Sequence, residues 1–419
     1  MRRLILTAAA LGAAVLVSSG CGDSAAAPAT YDSALDTASR SQQAPTVAML
    51  EALVNIESGP GDAVGLAQMG DYLAGQLVAL GATVTRHKAA DGTPGDNIVG
   101  TLRGTGTRHI LLMAHMDTVY PRGFLKDAPF RVDGNRAYGP GIADDKGGIA
   151  VILNTLALLN ARSFREYGTL TVLFNTDEET GSFGSRELIQ SLSASHDYVL
   201  SHEPSAASQE SFGLATSGIA HATATIRGRA SHAGVAPELG VNALTEAAAL
   251  ILRTQDIDNK DREIRFNWTL ASAGSASNAI PAVATLTADM RYGRNQDLDA
   301  ITAMLNERAQ QKRLPEAEIT IDVLRGRPAF NASEGGQALA ARGQSIYNEV
   351  GGRIEISNVR IGGGSDAAYA ALSGKPVLEG MGLPGAGYHT NADEYIMIDA
   401  IPRRLYLGAR MIMDLSLGR

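Results

Sequence analysis

Several stretches of this chain place His, Asp or Glu directly behind an apolar run or at the mouth of a helical one. His115-Met116-Asp117 follows the run 110–114, and Asp144 and Asp145 stand in a Gly-rich turn at 139–148 that opens the next helical segment. Asp177, Glu178 and Glu179 follow the run 169–174, Glu203 follows 198–200, and His389 comes after the strand-like 377–379. In open α/β sheets, ligand-binding groups gather beyond the carboxyl ends of the strands. Imidazole nitrogen and carboxylate oxygen are ligands that zinc accepts without thiolate. The chain has 1 cysteine, Cys21, so a metal must sit on histidines and carboxylates.

Taken singly, each group has a plainer reading. A lone His-x-Asp is more often structural, one of Asp144 and Asp145 can be a helix N-cap, and consecutive acids can form a solvated turn. Their joint occurrence at strand and helix ends carries the weight. In that reading His115 and Asp144 ligate metal with Asp117 orienting His115, Glu179 is a further ligand, and Glu178 is left free as a general base. Two zinc ions sharing a bridging carboxylate would absorb this much negative charge and lower the pKa of a shared water. The chemistry implied is metal-assisted amide hydrolysis. Other constellations fail: there is no Gly-x-Ser-x-Gly elbow, His202-Glu203 lacks the second histidine of His-Glu-x-x-His, and Gly362-Gly363-Gly364-Ser365 lacks the Walker lysine.

The elements that must position these groups are legible in outline. The 419 residues suggest two domains, and 45% hydrophobic with 19% charged residues is a globular balance. A net charge of −8 without a basic block argues against nucleic acid as a partner. Residues 1–21 read as a signal peptide of lipoprotein type, with a basic start, an apolar run too short to span a bilayer, and Cys21 after Gly20. This predicts export to the periplasm or an outer-membrane anchor, with membrane contact only through a lipid on Cys21. Residues 22–44, rich in Ala, Ser and Thr, read as a flexible tether.

Apolar strands at 83–85, 97–102, 109–114, 169–174 and 198–200 alternate with helices at 66–80, 147–159 and 185–192, which predicts an open α/β catalytic domain over 45–216. The pattern then changes to β-α-β-β-α-β over 217–326, the ferredoxin-like α+β order. The α/β pattern resumes at 327–419.

These motifs resemble the di-zinc aminoacylase/carboxypeptidase metallopeptidase family, over nearly everything from about residue 45 onward. The matching stretches are 111–120, 128–148, 169–184, 231–244, 322–332, 373–376 and 400–407. The resemblance implies two Zn²⁺ per subunit, with His115, Asp144 and Glu203 holding one and Asp144, Glu179 and His389 the other. It implies Glu178 as general base, Asp117 supporting His115, and a cis Asp144–Asp145 peptide. It implies a homodimer through the inserted domain, with His232 and Asn278 reaching a neighbouring active site to polarise the scissile carbonyl. Arg291 and Arg327 would hold substrate carboxylates. The family's pocket for a C-terminal glutamate side chain carries Lys, Ser and Thr, and the matching positions are Ser211, Gly213 and Ile361. Loss of the lysine removes an ionic partner, which predicts weakened glutamate preference.

The leading expectation is therefore a carboxypeptidase acting on folate-like or other N-acyl amino acids. One alternative is an N-acyl-amino-acid amidohydrolase preferring apolar C-terminal residues. A remote alternative is a non-catalytic periplasmic binding lipoprotein, against which stands the presence of Glu178 and of every residue read as a ligand.

Overall fold

Apolar runs without polar alternation need cover on both faces, and the central strands of this protein have it. The computed structural model describes residues 31–390 and 393–419, so the leader at 1–21 and Cys21 lie outside the described residues. Strands Thr83–Lys88, Asp96–Arg103, Thr169–Asn175, His109–His115, Tyr198–Ser201 and Val377–Leu378 lie side by side in that order. The last four are mutually parallel, whereas Asp96–Arg103 is antiparallel to both neighbours. Along His109–His115, Ile110, Leu112 and Ala114 enter the larger core, while Leu111 and Met113 enter a smaller one with Ile189 and Ala367. The alternation of strand side chains thus feeds two helical layers.

The helix Lys146–Ala161 is apolar on every side and almost wholly buried, as a helix must be when sheet and helices cover it all round. The helix Ile401–Ser416 packs against it and against Ser33–Ser41.

That last contact corrects the expectation of a tether over 22–44, because residues 33–44 fold. Asp32 caps the helix Ser33–Ser41 by accepting the Leu35 amide at 2.9 Å, and the Asp32 amide donates to the Tyr406 hydroxyl at 2.9 Å. Leu35 is fully buried in the main core. A segment rich in Ala, Ser and Thr can fold when one cap and one anchoring leucine meet a partner helix.

Strands Arg265–Ala273, Val283–Tyr292, Gly218–Arg227 and Glu318–Arg325 form a separate antiparallel sheet in that order. Helices Ala243–Arg253 and Asn295–Gln310 supply its core, together with alternate strand residues such as Ala222, Ala224, Leu286 and Met290. This is the ferredoxin-like order read from the sequence.

A third sheet has no counterpart in the sequence reading. Its strands are Arg131–Asp133, Arg136–Tyr138, Tyr395–Met397, Pro384–Ala386 and Ser205–Ala206, two or three residues each and too short to show a period. It matters because His389 lies in the hairpin between Pro384–Ala386 and Tyr395–Met397, not directly behind Val377–Leu378. Among the described residues, no helix is long and apolar enough to cross a membrane.

Candidate active site

Parallel strands expose their carboxyl ends along one edge, and each central strand here delivers an acid or a histidine to that edge. His115 is the last residue of His109–His115. Glu178 and Glu179 form a 3-10 turn behind Thr169–Asn175, and Glu203 follows Tyr198–Ser201. The turn before Lys146–Ala161 brings Asp144 to the same place. Gly141 in that turn has φ 68°, a left-handed conformation that favours glycine. The Asp144–Asp145 peptide is cis.

The adjacent aspartates divide two tasks. Asp145 is the N-cap, accepting the Gly148 amide at 3.1 Å. Asp144 faces the cleft, with Oδ1 3.0 Å from His115 Nε2 and Oδ2 3.3 Å from His389 Nε2. Each oxygen of one carboxylate therefore addresses a different histidine. His389 Nε2 is also 3.2 Å from Glu179 Oε2, and His115 Nε2 is 3.9 Å from Glu203 Oε1. His389 itself has φ 62°, an uncommon conformation for a residue with a side chain.

Ligand-type atoms of His115, Glu178 and Glu203, and again of His115, Asp144 and Glu179, lie within 4.8 Å of one another. The buried Glu179 Oε1 has no hydrogen-bond partner. Burial pushes Glu178 up to about 8 against the opposing charge of Arg327, and it raises Glu179 and, further, Glu203 from the usual carboxylate value. Burial works the other way on His115, but contacts with Asp117 and Asp144 raise it well above the usual imidazole value. Contacts with Asp144, then Glu179, raise His389 to about 10. So many acids in one buried place are poorly neutralised by two imidazoles and one guanidinium. A pair of divalent cations fits both the donor set and the charge.

Asp117 does more than face His115. Its Oδ1 lies 3.3 Å from His115 Nδ1, while its two oxygens accept the backbone amides of Glu178 and Glu179. Arg327, 6% exposed, donates to Glu178 Oε1 at 2.7 Å, to the Glu178 carbonyl at 2.6 Å and to the Gly364 carbonyl at 2.8 Å. Behind it, Asp366 accepts from Asn175 Nδ2 at 2.6 Å and from the Ser182 hydroxyl, fastening both ends of the segment that carries the acids.

The cleft above these groups has a volume of about 510 Å³. Asp144, Glu178, Glu179, Glu203, Arg327 and His389 form its floor. Phe183 borders it, and Ile219, His221 and Leu324 look in from the open face of the inserted sheet. The sequence reading missed Phe183, His221 and Leu324, since a lone residue in a turn or on an alternating strand carries no motif.

The other expected site residues lie elsewhere. Arg291 is engaged by Asp289, with its Nη2 at 2.9 Å, and donates to the Gly362 carbonyl at 3.1 Å; it does not line the cleft. Ser211 and Gly213 lie on a strand paired with Glu355–Ser357, and Ile361 is 58% exposed beside the glycine turn; none of these three lines the cleft. His232 and Asn278 occupy adjoining exposed loops of the inserted domain, away from this chain's own cleft lining. His232 Nδ1 accepts the Gly234 and Val235 amides at 3.2 and 3.1 Å, which puts the proton of the neutral ring on Nε2 as an outward donor.

Fold and site together define a metal-dependent hydrolase built on an open α/β sheet with an inserted α+β domain. The model of peptidase family M20/M25/M40 matches residues 111–414, and the chain belongs to that family. Its zinc dependence agrees with the donor set. The chain is 59% identical over 388 residues, 93% of each sequence, to carboxypeptidase G2 of Pseudomonas sp. strain RS-16. Two solved structures share its fold at lower identity. Aminopeptidase PepT of Bacillus cereus superposes with a TM-score of 0.74 at 24% identity, covering 90% of this chain and 99% of that one. The M20 family metallo-carboxypeptidase Sso-CP2 of Sulfolobus solfataricus gives 0.69 at 14%, covering 89% and 99%.

Proposed function

We propose that this protein hydrolyses the amide bond to the C-terminal amino acid of an N-acyl compound, glutamate in a folate-like or related substrate, with Glu178 as general base. It is a zinc metallo-carboxypeptidase, and the 59% identity to carboxypeptidase G2 supports that activity. The observation that carries the reading is Asp144, whose two oxygens face His115 and His389 from between them.

In this reading His115, Asp144 and Glu203 hold one zinc and Asp144, Glu179 and His389 the other. When bound, zinc supplies Lewis acidity that brings a water within reach of deprotonation near neutral pH. Glu178 takes the proton and delivers it to the departing amine nitrogen. Asp117 fixes the amides of Glu178 and Glu179 and thereby aims the base. Arg327, ion-paired with Glu178 in the cleft lining, is the guanidinium read as holding a substrate carboxylate. In the same reading Arg291 holds a substrate carboxylate, and Ser211, Gly213 and Ile361 border the side chain of the C-terminal residue.

A homodimer completes the centre in this proposal. The exposed edge strand Arg265–Ala273, with Leu270 67% exposed, and the helix Ala243–Arg253, with Leu252 67% exposed, offer an apolar face of the inserted domain. Across it, His232 Nε2–H and Asn278 would reach the partner's scissile carbonyl. Export, with a lipid on Cys21, is proposed from the leader sequence.

A second reading, an amidohydrolase for apolar C-terminal residues, is favoured by the Phe183, Ile219 and Leu324 lining and by Ile361 in place of a polar residue. Comparing kcat/KM for N-acyl-glutamate and N-acyl-phenylalanine decides between them. A preference for glutamate of 100-fold or more on the order expected from a charge partner removes the second reading. Failure to cleave either, by zinc-loaded enzyme, removes both.

A further inference from the structure

Glu394 is 2% exposed and takes no part in the cleft, yet it is among the most heavily hydrogen-bonded acids near it. Its Oε1 accepts the amides of Ala143 at 2.8 Å and Asp144 at 3.0 Å. Its Oε2 accepts the amide of Gly141 at 2.9 Å and the hydroxyl of Tyr120 at 2.7 Å. Its own carbonyl accepts the Gly139 amide at 3.2 Å. One residue therefore grips the turn that presents Asp144 along its whole length. Lys146 Nζ also donates to the Pro140 carbonyl of this turn, at 3.1 Å.

Glu394 also belongs to the hairpin that carries His389, between Pro384–Ala386 and Tyr395–Met397. That hairpin starts at Gly387, with φ 79°, where an added Cβ would run into the Asp393 backbone. The same loop thus contributes His389 at one end and the clamp on Asp144 at the other. Asp144 Oδ2 and His389 Nε2 are 3.3 Å apart, and Glu394 is the residue that joins their two loops by hydrogen bonds at their roots.

We propose that Glu394 is a positioning residue that fixes the bridging carboxylate of Asp144 against His389 and so sets the affinity and geometry of the second metal position. This rests on the ligand assignment given above. A carboxylate is the side chain that suits the task, because all four of its partners are donors. A carboxamide of the same shape would turn an NH2 towards either the Ala143 and Asp144 amides or the Gly141 amide and Tyr120 hydroxyl, setting donor against donor in a buried place. Groups that orient metal-binding residues in this way typically govern affinity by 10- to 100-fold.

The test uses the full-length protein loaded with Co²⁺ or Zn²⁺. Glu394→Gln, checked for wild-type far-UV circular dichroism, should lose one of its two metals at a roughly 10- to 100-fold lower chelator concentration. Its Co²⁺ d–d spectrum should change, and kcat should fall more than KM moves. A folded E394Q that keeps both metals with wild-type affinity and spectrum overturns the proposal, even if its melting temperature drops, because that is the signature of a merely structural residue. Should E394Q not fold, Glu394→Asp carries the test. Its carboxylate is withdrawn by one methylene, so weakened binding supports the proposal and wild-type affinity overturns it. His389→Ala separates this from the assignment beneath it: if that variant still binds two metals normally, the ligand set is wrong whatever Glu394 does.

Discussion

Asp117 holds Glu178 by its backbone: Asp117 Oδ1 accepts the Glu178 amide at 3.0 Å, while the other oxygen takes the Glu179 amide at 2.9 Å. The same carboxylate lies beside His115 Nδ1. One buried acid thus ties the position of Glu178 to that of His115. Asp117→Asn leaves one acceptor for two amides, and we expect metal affinity and kcat each to fall by roughly 10- to 100-fold. Chelator titration and steady-state kinetics on the folded variant check this.

Glu178→Ala removes the proton acceptor without touching the Asp144–His115 or Asp144–His389 pairs. Activity should drop by roughly 10²- to 10⁴-fold with two zinc ions retained per chain. Elemental analysis beside kinetics reads both, and zinc-replete E178A with undiminished turnover would assign the base elsewhere.

Stripping the metal should cost stability as well as activity. The buried acids of the cleft lose their counter-charge, and a ligand present at a thousandfold excess over its Kd stabilises by about 4 kcal/mol. Chelator-treated protein should therefore melt at a clearly lower temperature, and Zn²⁺ should restore both melting and turnover.

Glu379 is 6% exposed and its Oε2 has no hydrogen-bond partner. Burial pushes it up to about 7 from 4.5, against the Ser365 and Ser201 hydroxyls. The folded state then binds this proton more tightly than the unfolded chain does. Its contribution is fully present below pH 4.5 and is lost as the pH rises to 7, by about 3 kcal/mol at 1.36 kcal/mol per unit. Glu379→Gln should flatten the stability curve between those limits and gain on the wild type above pH 7. Urea unfolding at pH 5 and pH 8 measures it, and an unchanged slope would place the titrating group elsewhere.

Leu35 tests whether residues 33–44 belong to the folded body. Leu35→Ala should destabilise by about 2–5 kcal/mol, as a buried leucine does. A tether would give no change in the midpoint of chemical unfolding.

What the sequence revealed follows a physical line. Continuous apolar strands such as 110–114 and 169–174 announce themselves, and so do acids directly behind them, because both signals are local. The inserted sheet was readable from its alternation. The segment 33–41 was not, since its burial depends on Tyr406 and the closing helix far along the chain. The third sheet was not, since strands of two or three residues have no period. Glu394 gave no signal: an acid in a polar loop looks like surface until the backbone amides of Gly141, Ala143 and Asp144 are found pointing at it. Arg291 gave no local signal of its setting either, since its pairing with Asp289 on the same strand shows only in the fold.

His389 and Glu394 come after the inserted domain in the chain, and the helix Ile401–Ser416 that packs on Lys146–Ala161 comes later still. A polypeptide emerging amino end first from a ribosome or a translocation pore thus has its acids and one histidine in hand long before the other. Until the hairpin that carries His389 docks, such a copy holds only part of the cradle proposed for its cations.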